Sequence, residues 1–206
     1  MPQYTRNPPL TEAGIDRNPL RQFERWLASA ARAGLKEPTA MTLATVDRRG
    51  KPSARMVLFK GLHRNRLTFY TNHESRKGRE LSDNPRVALV FWWDKLERQV
   101  RVEGRVEKLP KNVAERYFHS RPHNSQVGAL ASRQSRTVAG RAELDARFAA
   151  LTRKYAGQTV PLPDFWGGYA VTPESFEFWQ GRGGRLHDRL AFRRRGRGWK
   201  LVRLEP

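Results

Sequence analysis

The strongest constraint on the fold is a succession of short strand-like runs with a turn about every ten residues. The first begins at Ala40, where Met41, Leu43 and Thr45 alternate with their neighbours, and a turn follows at residues 47–50. The runs cover residues 40–46, 53–60, 66–71, 87–93 and 99–108, and later roughly 166–172, 175–180, 188–194 and 199–204. Consecutive strands of this kind pair as antiparallel neighbours. The pattern therefore predicts a mainly β fold, a β-barrel with flanking helices packed outside it.

Helical segments surround these strands. Asn18 and Pro19 form a helix start, and apolar residues follow at helical spacing as far as Gly34. We expect further helices at residues 75–82, 110–120 and 141–155, with a polar stretch between the last two. Residues 1–17 are polar and contain prolines, which predicts a flexible N-terminal arm. Residues 18–206 then form a single domain.

Composition narrows the range of functions. The 206 residues include no cysteine, which excludes disulfides, thiolate nucleophiles and cysteine-ligated metal sites. His119 and His123 are spaced like metal ligands, but a proline between them breaks the helix, so we expect no metal site. No apolar signal segment and no membrane-length run is present, so we expect a cytoplasmic protein without a membrane partner.

The charge balance is strongly basic. Lys and Arg total 40 against 20 acidic residues, a net charge of +20. Nucleic acid, an acidic membrane surface and anionic small molecules are all partners that fit this charge, and a merely solvated surface is the fourth explanation. Charge alone therefore leaves the partner open.

Ser75, Arg76 and Lys77 have the character of an anion site. Ser75 is a helix N-cap, and the two cations occupy the first turn, where the helix dipole disfavours them unless an anion is bound. Two side chains exposed to solvent would explain the same residues. Arg55 and Lys60 are further candidates. Their odd separation puts them on opposite faces of a regular strand, so they serve different ligands, flank a bulge, or are solvated cations of an edge strand.

A second candidate anion site lies at the end of the helix predicted at residues 110–120. Tyr117 and Arg121 are four residues apart and share a face, and Ser125 follows within reach. Two hydroxyls and a guanidinium suit a phosphate. An arginine near the carbonyls of a helix end is the alternative.

The C-terminal region combines an aromatic ring, two guanidiniums and an imidazole. Arg185, His187 and Arg189 share a face of an extended segment, shortly after Trp179. No serine or cysteine nucleophile and no carboxylate pair lies nearby in the sequence, which favours chemistry performed by a cofactor. A basic hairpin with an aromatic residue could also bind RNA.

Segments along nearly the whole chain carry a family resemblance. They are residues 23–27, 38–41, 69–72, 75–77, 84–87, 96–100, 117–122, 135, 161–163, 165–168, 178–181 and 185–189. Their joint occurrence in this order resembles the pyridoxamine 5′-phosphate oxidases, which use FMN. The resemblance implies an FMN-binding split β-barrel and a homodimer with FMN at the interface. It implies neither a nucleic-acid nor a membrane partner.

The resemblance also implies roles for individual residues. FMN would contact Arg55, Lys60, Tyr70, Thr71, Arg76, Lys77, Gln99, Gln134, Ser135, Trp179 and Arg189. The substrate phosphate would contact Lys60, Tyr117, Arg121 and Ser125. Arg185 and His187 would lie over the substrate ring as catalytic residues. Tyr4 matches, with a shift of one residue, a tyrosine of the family's N-terminal arm that closes over the substrate. The arginine before that tyrosine has no counterpart here.

The implied reaction is oxidation of pyridoxamine or pyridoxine 5′-phosphate at the 4′ carbon. A hydride passes to the flavin, and O2 reoxidises the flavin with release of hydrogen peroxide. Hydrolysis of the imine that the amine substrate forms then gives pyridoxal 5′-phosphate. Two alternatives stay open. One is a split-barrel FMN protein with another substrate. The other is a nucleic-acid-binding protein that uses the +20 charge and the run Arg193-Arg194-Arg195.

Overall fold

A computed structural model describes residues 7–206 and contains one antiparallel sheet of nine strands with flanking helices. The mainly β fold predicted from the alternation is therefore confirmed. In chain order the elements are α1 (Pro19–Arg32), β1 (Ala40–Val46), β2 (Pro52–Leu58), β3 (Leu62–His63), β4 (Arg66–Asn72), α2 (Arg76–Asp83), β5 (Arg86–Trp93), β6 (Arg98–Lys108), α3 (Lys111–Ser120), α4 (His123–Ala131), α5 (Arg141–Lys154), β7 (Trp166–Gln180), β8 (Asp188–Arg195) and β9 (Gly198–Arg203).

The strand order is β2-β1-β5-β6-β7-β4-β3, and β8 and β9 continue from β7 as a separate branch. The two ends of the main path approach each other just after β2. There the Lys60 N–H donates to the Thr68 carbonyl of β4 at 2.8 Å, and the Thr68 N–H donates to the Gly61 carbonyl at 3.0 Å. These bonds join the ends of the sheet, as in a barrel.

Strand β7 holds the sheet together because it pairs with three others. Its first half pairs with β4, its second half with β8, and β6 runs along its length. The sequence predicts two strands here, at 166–172 and 175–180, and that prediction is wrong. The chain stays extended through Pro173, and the register with β6 shifts by one residue at Glu174, which lies unpaired in a bulge of β7 opposite Glu103 and Gly104.

The hydrophobic core has two parts. The larger fills the space between the sheet and α1, where Phe23 packs 4.9 Å from Phe91 and Trp26 lies 5.2 Å from Phe178 (ring centroids). The smaller lies under α3, α4 and α5 and includes Phe118 and Trp166. This smaller part, the second core, packs these helices against the start of β7 and so places α3 and α4 beside the sheet.

The start of α1 agrees with its prediction. The Asn18 side chain accepts a hydrogen bond from the Leu20 N–H at 3.0 Å, and Pro19 is the first helical residue. The helix at α4 was not predicted, since residues 121–140 read as a polar stretch. It begins directly after Pro122 and buries one face through Gln126, Val127 and Ala131, so tertiary packing rather than propensity explains it.

The predicted arm of residues 1–17 divides at Asn7. Residues 1–6, with Tyr4, lie outside the described residues. From Asn7 onward the chain packs on the domain. Leu10 and Ile15 are buried, the Leu10 N–H donates to Asp188 at 3.0 Å, and Arg182 donates to the Asn7 carbonyl at 2.7 Å.

Candidate active site

A cavity of about 930 Å³ opens between β2, β4 and the helices α3 and α4. Its size suits a cofactor or a small-molecule substrate. We call it the main cavity. Its lining is Arg55, Met56, Val57, Leu58, Lys60, Tyr70, Thr71, Asn72, Lys77, Tyr117, Arg121, Pro122, Ser125, Gly128, Ala129, Ser132, Gln134 and Trp166. Most of the predicted anion ligands are therefore in one place.

Arg55 and Lys60 line this cavity together despite their odd separation. Strand β2 ends at Leu58, so the two-residue alternation no longer applies at Lys60. The backbone of Lys60 instead turns to pair with β4. A bulge within the strand is therefore not needed to explain their positions.

Lys77 is the most buried cation of the cavity lining. Ser75 caps α2 by accepting from the Gly78 N–H, as predicted, and Lys77 follows in the first turn. The Lys77 Nζ donates to Gln134 Oε1 at 2.8 Å and to Thr71 Oγ1 at 3.1 Å. Burial, and then the nearby Arg55 charge, lower the pKa of Lys77 to about 8. A bound anion would oppose both effects.

Glu80 connects two of the predicted arginines. It accepts hydrogen bonds from Arg55 at 3.1 Å and from Arg76 at 2.8 Å, and also from Thr45 and Ser53. Burial alone would raise the pKa of Glu80, but these hydrogen bonds outweigh it and lower the pKa to about 2. Arg76 does not line the main cavity. Its half-exposed side chain borders a neighbouring depression of about 350 Å³.

The predicted phosphate ligands Tyr117, Arg121 and Ser125 also line the main cavity. Pro122 follows the end of α3 as predicted, and Arg121 turns towards the start of β7. Its guanidinium lies 5.0 Å from the centroid of Trp166, and its Nη1 atom is buried without a hydrogen-bond partner among residues 7–206. Burial lowers the pKa of Arg121. A buried donor without a partner is rare in folded proteins and indicates an external acceptor at this point.

Two tyrosines stack beside this arginine. The rings of Tyr70 and Tyr117 lie 3.8 Å apart at 17°, and Tyr70 also stacks on Trp166 at 5.6 Å. Burial raises the pKa of both phenols, so they are hydrogen-bonding groups rather than bases at neutral pH.

The remaining predicted residues form a second group, which consists of Gln99, Trp179, Arg185, His187 and Arg189. Gln99 and Arg189 are the direct cross-strand neighbours of Trp179, whose ring lies 4.7 Å from that of His187. None of the five lines the main cavity. They lie at the far end of β7: at about 3.3 Å per residue, roughly 40 Å of strand separates Trp179 from Trp166.

Three side chains of the second group have defined surroundings. Arg189 is held by Glu177, through bonds of 2.8 and 3.1 Å. The Nδ1 atom of His187 accepts a hydrogen bond from the Arg182 N–H at 3.1 Å, so the neutral ring carries its proton on Nε2. Arg185 has a φ of 63°, a conformation that costs energy for a non-glycine residue and is enriched at functional sites. Ser135 has the same feature, with a φ of 70°, but is exposed and outside the cavity lining.

The sequence-based reasoning missed Trp166, Asn72 and Glu80. Trp166 and Asn72 line the cavity and are paired across β7 and β4. The two glycines that follow Trp166 are the sequence signal that could have identified this part of the site. A Cβ on Gly168 would lie 2.7 Å from Tyr70, so a glycine there lets this ring lie against β7.

Two further kinds of site, a metal site and a membrane-spanning helix, can be checked among residues 7–206. No cluster of three or more His, Asp or Glu residues there could hold a metal ion, and the rings of His119 and His123 each contact a backbone carbonyl at 3.1 Å. None of the described helices is both long and apolar enough to cross a membrane.

Comparison with known proteins gives consistent results. A family model described as pyridoxamine 5′-phosphate oxidase matches residues 27–155, and one described as pyridoxine 5′-phosphate oxidase C-terminal dimerisation region matches residues 166–206. A pyridoxine/pyridoxamine 5′-phosphate oxidase of Rubrobacter xylanophilus is 54% identical over 204 residues, 99% of this chain and 94% of that protein. One of Cupriavidus necator is 54% identical over 198 residues, 96% of this chain and 93% of that protein.

Solved structures share the fold. PhzG from Burkholderia lata, in complex with tetrahydrophenazine-1-carboxylic acid, has a TM-score of 0.90 at 31% identity and covers 94% of this chain and 95% of its own. A pyridoxamine 5′-phosphate oxidase-related, FMN binding protein from Nostoc punctiforme has a TM-score of 0.74 at 14% identity, covering 93% and 100%. The split-barrel fold expected from the resemblance is confirmed. With family models that match most of its length and relatives more than half identical to it, the chain belongs to the pyridoxamine 5′-phosphate oxidase family.

Proposed function

We propose that the chain is an FMN-dependent oxidase of pyridoxamine and pyridoxine 5′-phosphates. The main support for this proposal is a set of side chains in the lining of one cavity that suit a phosphate: Lys60, Tyr117, Arg121 and Ser125. Arg121 offers a buried N–H that has no acceptor among residues 7–206. Charged hydrogen bonds contribute about 1.5–3 kcal/mol each, so this set could hold a phosphorylated substrate where one arginine could not.

The same cavity fits the cofactor. Arg55 and Lys77 lie close enough for the Arg55 charge to lower the pKa of Lys77, and the hydroxyl of Thr71 lies beside them. A phosphate at this point would neutralise the two cations and meet the capped end of α2. We propose that these residues, with Gln134 and Tyr70, hold FMN, and that Arg76 approaches its phosphate from the rim.

When bound, FMN would supply the redox chemistry, a two-electron oxidation at the 4′ carbon with O2 as the final acceptor and hydrogen peroxide as the by-product. Pyridoxine 5′-phosphate would give pyridoxal 5′-phosphate directly, whereas pyridoxamine 5′-phosphate would also consume water and release ammonia. The protein supplies position and charge. Arg185 orients the substrate ring with its guanidinium. His187, whose Nδ1 is occupied by a backbone N–H, presents Nε2–H as a donor to the 4′ substituent.

We propose further that each site is completed by a second copy of the chain. The second group lies at the opposite end of β7 from the main cavity, so one chain does not bring its own two groups together. The match of residues 166–206 to a dimerisation region supports this arrangement. Gln99, Trp179, Arg185, His187 and Arg189 of one copy would then face the cavity of the other, with FMN at the interface.

An oxidase with another substrate is the second candidate, because PhzG is described in complex with a phenazine carboxylic acid. That ligand carries no phosphate. The partnerless donor of Arg121, with Lys60 and Ser125 on the same lining, favours a phosphorylated substrate.

An aerobic assay tests the function. The purified protein is expected to be yellow with one FMN per subunit, and to form peroxide from both phosphorylated vitamers. Pyridoxamine without its phosphate is the matched control, and its kcat/KM should be lower by about a hundredfold or more because several charged hydrogen bonds are lost. A colourless protein that FMN cannot reconstitute would overturn the proposal. Faster oxidation of tetrahydrophenazine-1-carboxylic acid than of pyridoxamine 5′-phosphate would favour the second candidate.

A further inference from the structure

Arg121 has no anionic partner within the described chain. Arg55, the other arginine of the cavity lining, shares the carboxylate of Glu80. For Arg121 no carboxylate of residues 7–206 takes that role, and its Nη1 atom has no hydrogen-bond partner among them. An arginine side chain is long and flexible, so without a partner it would sample many rotamers. Something else must hold its guanidinium towards the cavity.

The ring of Trp166 is the contact that does so. The Arg121 guanidinium carbon lies 5.0 Å from the Trp166 centroid and 5.8 Å from the centroid of Phe118. An aromatic face attracts a cation but accepts none of its N–H donors in the way a carboxylate does. The guanidinium is thereby held while its charge and its Nη1 donor stay available for a ligand.

Trp166 is itself held in a fixed orientation. It is 8% exposed, its ring stacks on Tyr70 at 12°, and Phe118 meets it edge-on at 5.1 Å. Its backbone is paired with Asn72 at the start of β7. The orientation of the ring therefore depends on both the sheet and the second core, neither of which rearranges easily.

We propose that Trp166 is a positioning residue for the substrate: its ring fixes the guanidinium of Arg121 so that the free donors meet the phosphate. This inference rests on the proposed function, in which Arg121 binds that phosphate. It predicts that Trp166 affects phosphate affinity and that this effect passes through Arg121.

The test compares Trp166→Leu and Trp166→Phe with a matched control. Trp199→Phe serves as the control because Arg194 lies over Trp199 at the same 5.0 Å, outside the cavity. In the FMN-loaded enzyme, Trp166→Leu should raise the KM for pyridoxamine 5′-phosphate and the inhibition constant of inorganic phosphate about tenfold, with a smaller loss in kcat. The phenylalanine variant, which keeps a weaker aromatic face, should show about a threefold rise. Trp199→Phe should keep the wild-type KM and inhibition constant. In all three variants the dissociation constant of FMN should stay near the wild-type value.

A double variant separates positioning from general damage. Adding Trp166→Leu to Arg121→Ala should not weaken phosphate inhibition beyond Arg121→Ala alone, because the ring no longer has a guanidinium to hold. The proposal would be overturned if Trp166→Leu and Arg121→Ala weakened phosphate inhibition additively. It would also be overturned if both single Trp166 variants kept the phosphate inhibition of the wild type. Trp166→Phe, which keeps the core filled, decides the matter if the leucine variant does not fold.

Failure of the proposed function would look different. In that case the wild type would not oxidise pyridoxamine 5′-phosphate. Protection of the same variants against thermal unfolding by inorganic phosphate would still measure the role of Trp166. Equal protection of wild type and Trp166→Phe would then overturn the inference on its own.

Discussion

Glu80 determines the arrangement of the cations on one side of the site. Its carboxylate joins Arg55 of β2 to Arg76 of α2, and the hydroxyl of Ser53 donates to it at 2.7 Å. Two positive side chains that would otherwise repel each other are thereby held near one buried negative charge. Because this arrangement depends on the ionised form, it should depend on pH.

We expect Glu80→Gln to lower the free energy of unfolding at pH 7 by roughly 2–3 kcal/mol. The pKa of Glu80 in the folded protein, about 2, lies below its ordinary value of 4.5. The ionised carboxylate therefore stabilises the fold fully above pH 4.5, and this contribution is lost as the pH falls towards 2. Urea unfolding at several pH values should show the difference between variant and wild type narrowing below pH 4.5.

Glu12→Gln is the control for this measurement. The pKa of Glu12 is also lowered to about 2, chiefly by its hydrogen bond with Arg203, but the pair is at the surface. Solvent screens such pairs, so the control should change the stability little at any pH. A stability difference for Glu80→Gln that stays constant from pH 7 to pH 3 would contradict the assignment.

At the scale of single elements, sequence signals between near neighbours in the chain predicted the helix starts correctly. Elements that depend on contacts with distant segments were not predicted. The caps at Asn18 and Ser75 are local hydrogen bonds between near neighbours in the chain, and both helices begin where those residues indicate. Helix α4 and the continuous β7 depend on packing against distant segments, which no nearby residue reports. Glu80 was missed for the same reason, since its partner on β2 is distant in the chain.

Helix α2 gives a prediction at this scale. Its first turn lies so close to the preceding segment that a Cβ on Gly78 would be 2.0 Å from the backbone oxygen of His73. Gly78→Ala must shift the helix and the Lys77 side chain with it. We expect a loss of about 1–3 kcal/mol in stability from the overpacking. We also expect about a tenfold weaker FMN affinity, as expected when one charged hydrogen bond is lost. Urea unfolding and FMN fluorescence titration measure the two effects.

Gly140→Ala is a suitable comparison. Nothing lies within 4 Å of a Cβ at Gly140, and its φ of 178° is extended backbone that alanine also adopts. Its stability should stay within about 0.5 kcal/mol of the wild type. If Gly78→Ala retained wild-type stability and FMN affinity, the close packing of α2 would not matter for the site.

For the molecule as a whole, the exposed apolar side chains mark the surfaces that another copy would cover. Met56 (61% exposed) lines the main cavity, Trp92 (47%) lies 5.9 Å from Trp179, and Leu186 (75%) lies between Arg185 and His187. Large exposed apolar side chains near a site indicate an interface. Periodicity and composition could not predict this assembly, because it depends on surfaces of separate chains. Only the family resemblance implied it.

The net charge was less informative than the position of the charges. Arg193, Arg194 and Arg195 at the end of β8, and Arg197 in the turn that follows, form no ion pair with residues 7–206. Arg194 lies over the ring of Trp199 at 5.0 Å, and nothing in the structure assigns the group a ligand. The absence of a nucleic-acid partner stays a prediction. In contrast, Arg55 and Arg76 share the carboxylate of Glu80, and Arg121 has an open donor at the main cavity.

Subunit complementation tests the composite site directly. Arg121→Ala removes a residue of the main cavity and Arg185→Ala one of the second group, and each change alone should lower activity about tenfold or more. If each site combines the cavity of one copy with the second group of the other, a heterodimer of the two variants contains one intact site and one doubly altered site. Equal co-expression makes about half of the dimers mixed, so about a quarter of wild-type activity should return.

The matched control co-expresses the Arg121→Ala chain with a Lys60→Ala chain. Both changes affect the cavity, so every mixed dimer keeps two altered sites. No recovery with Arg185→Ala would mean that a single chain forms the whole site. Recovery in the control would mean that Arg121 and Lys60 of one chain do not serve the same site.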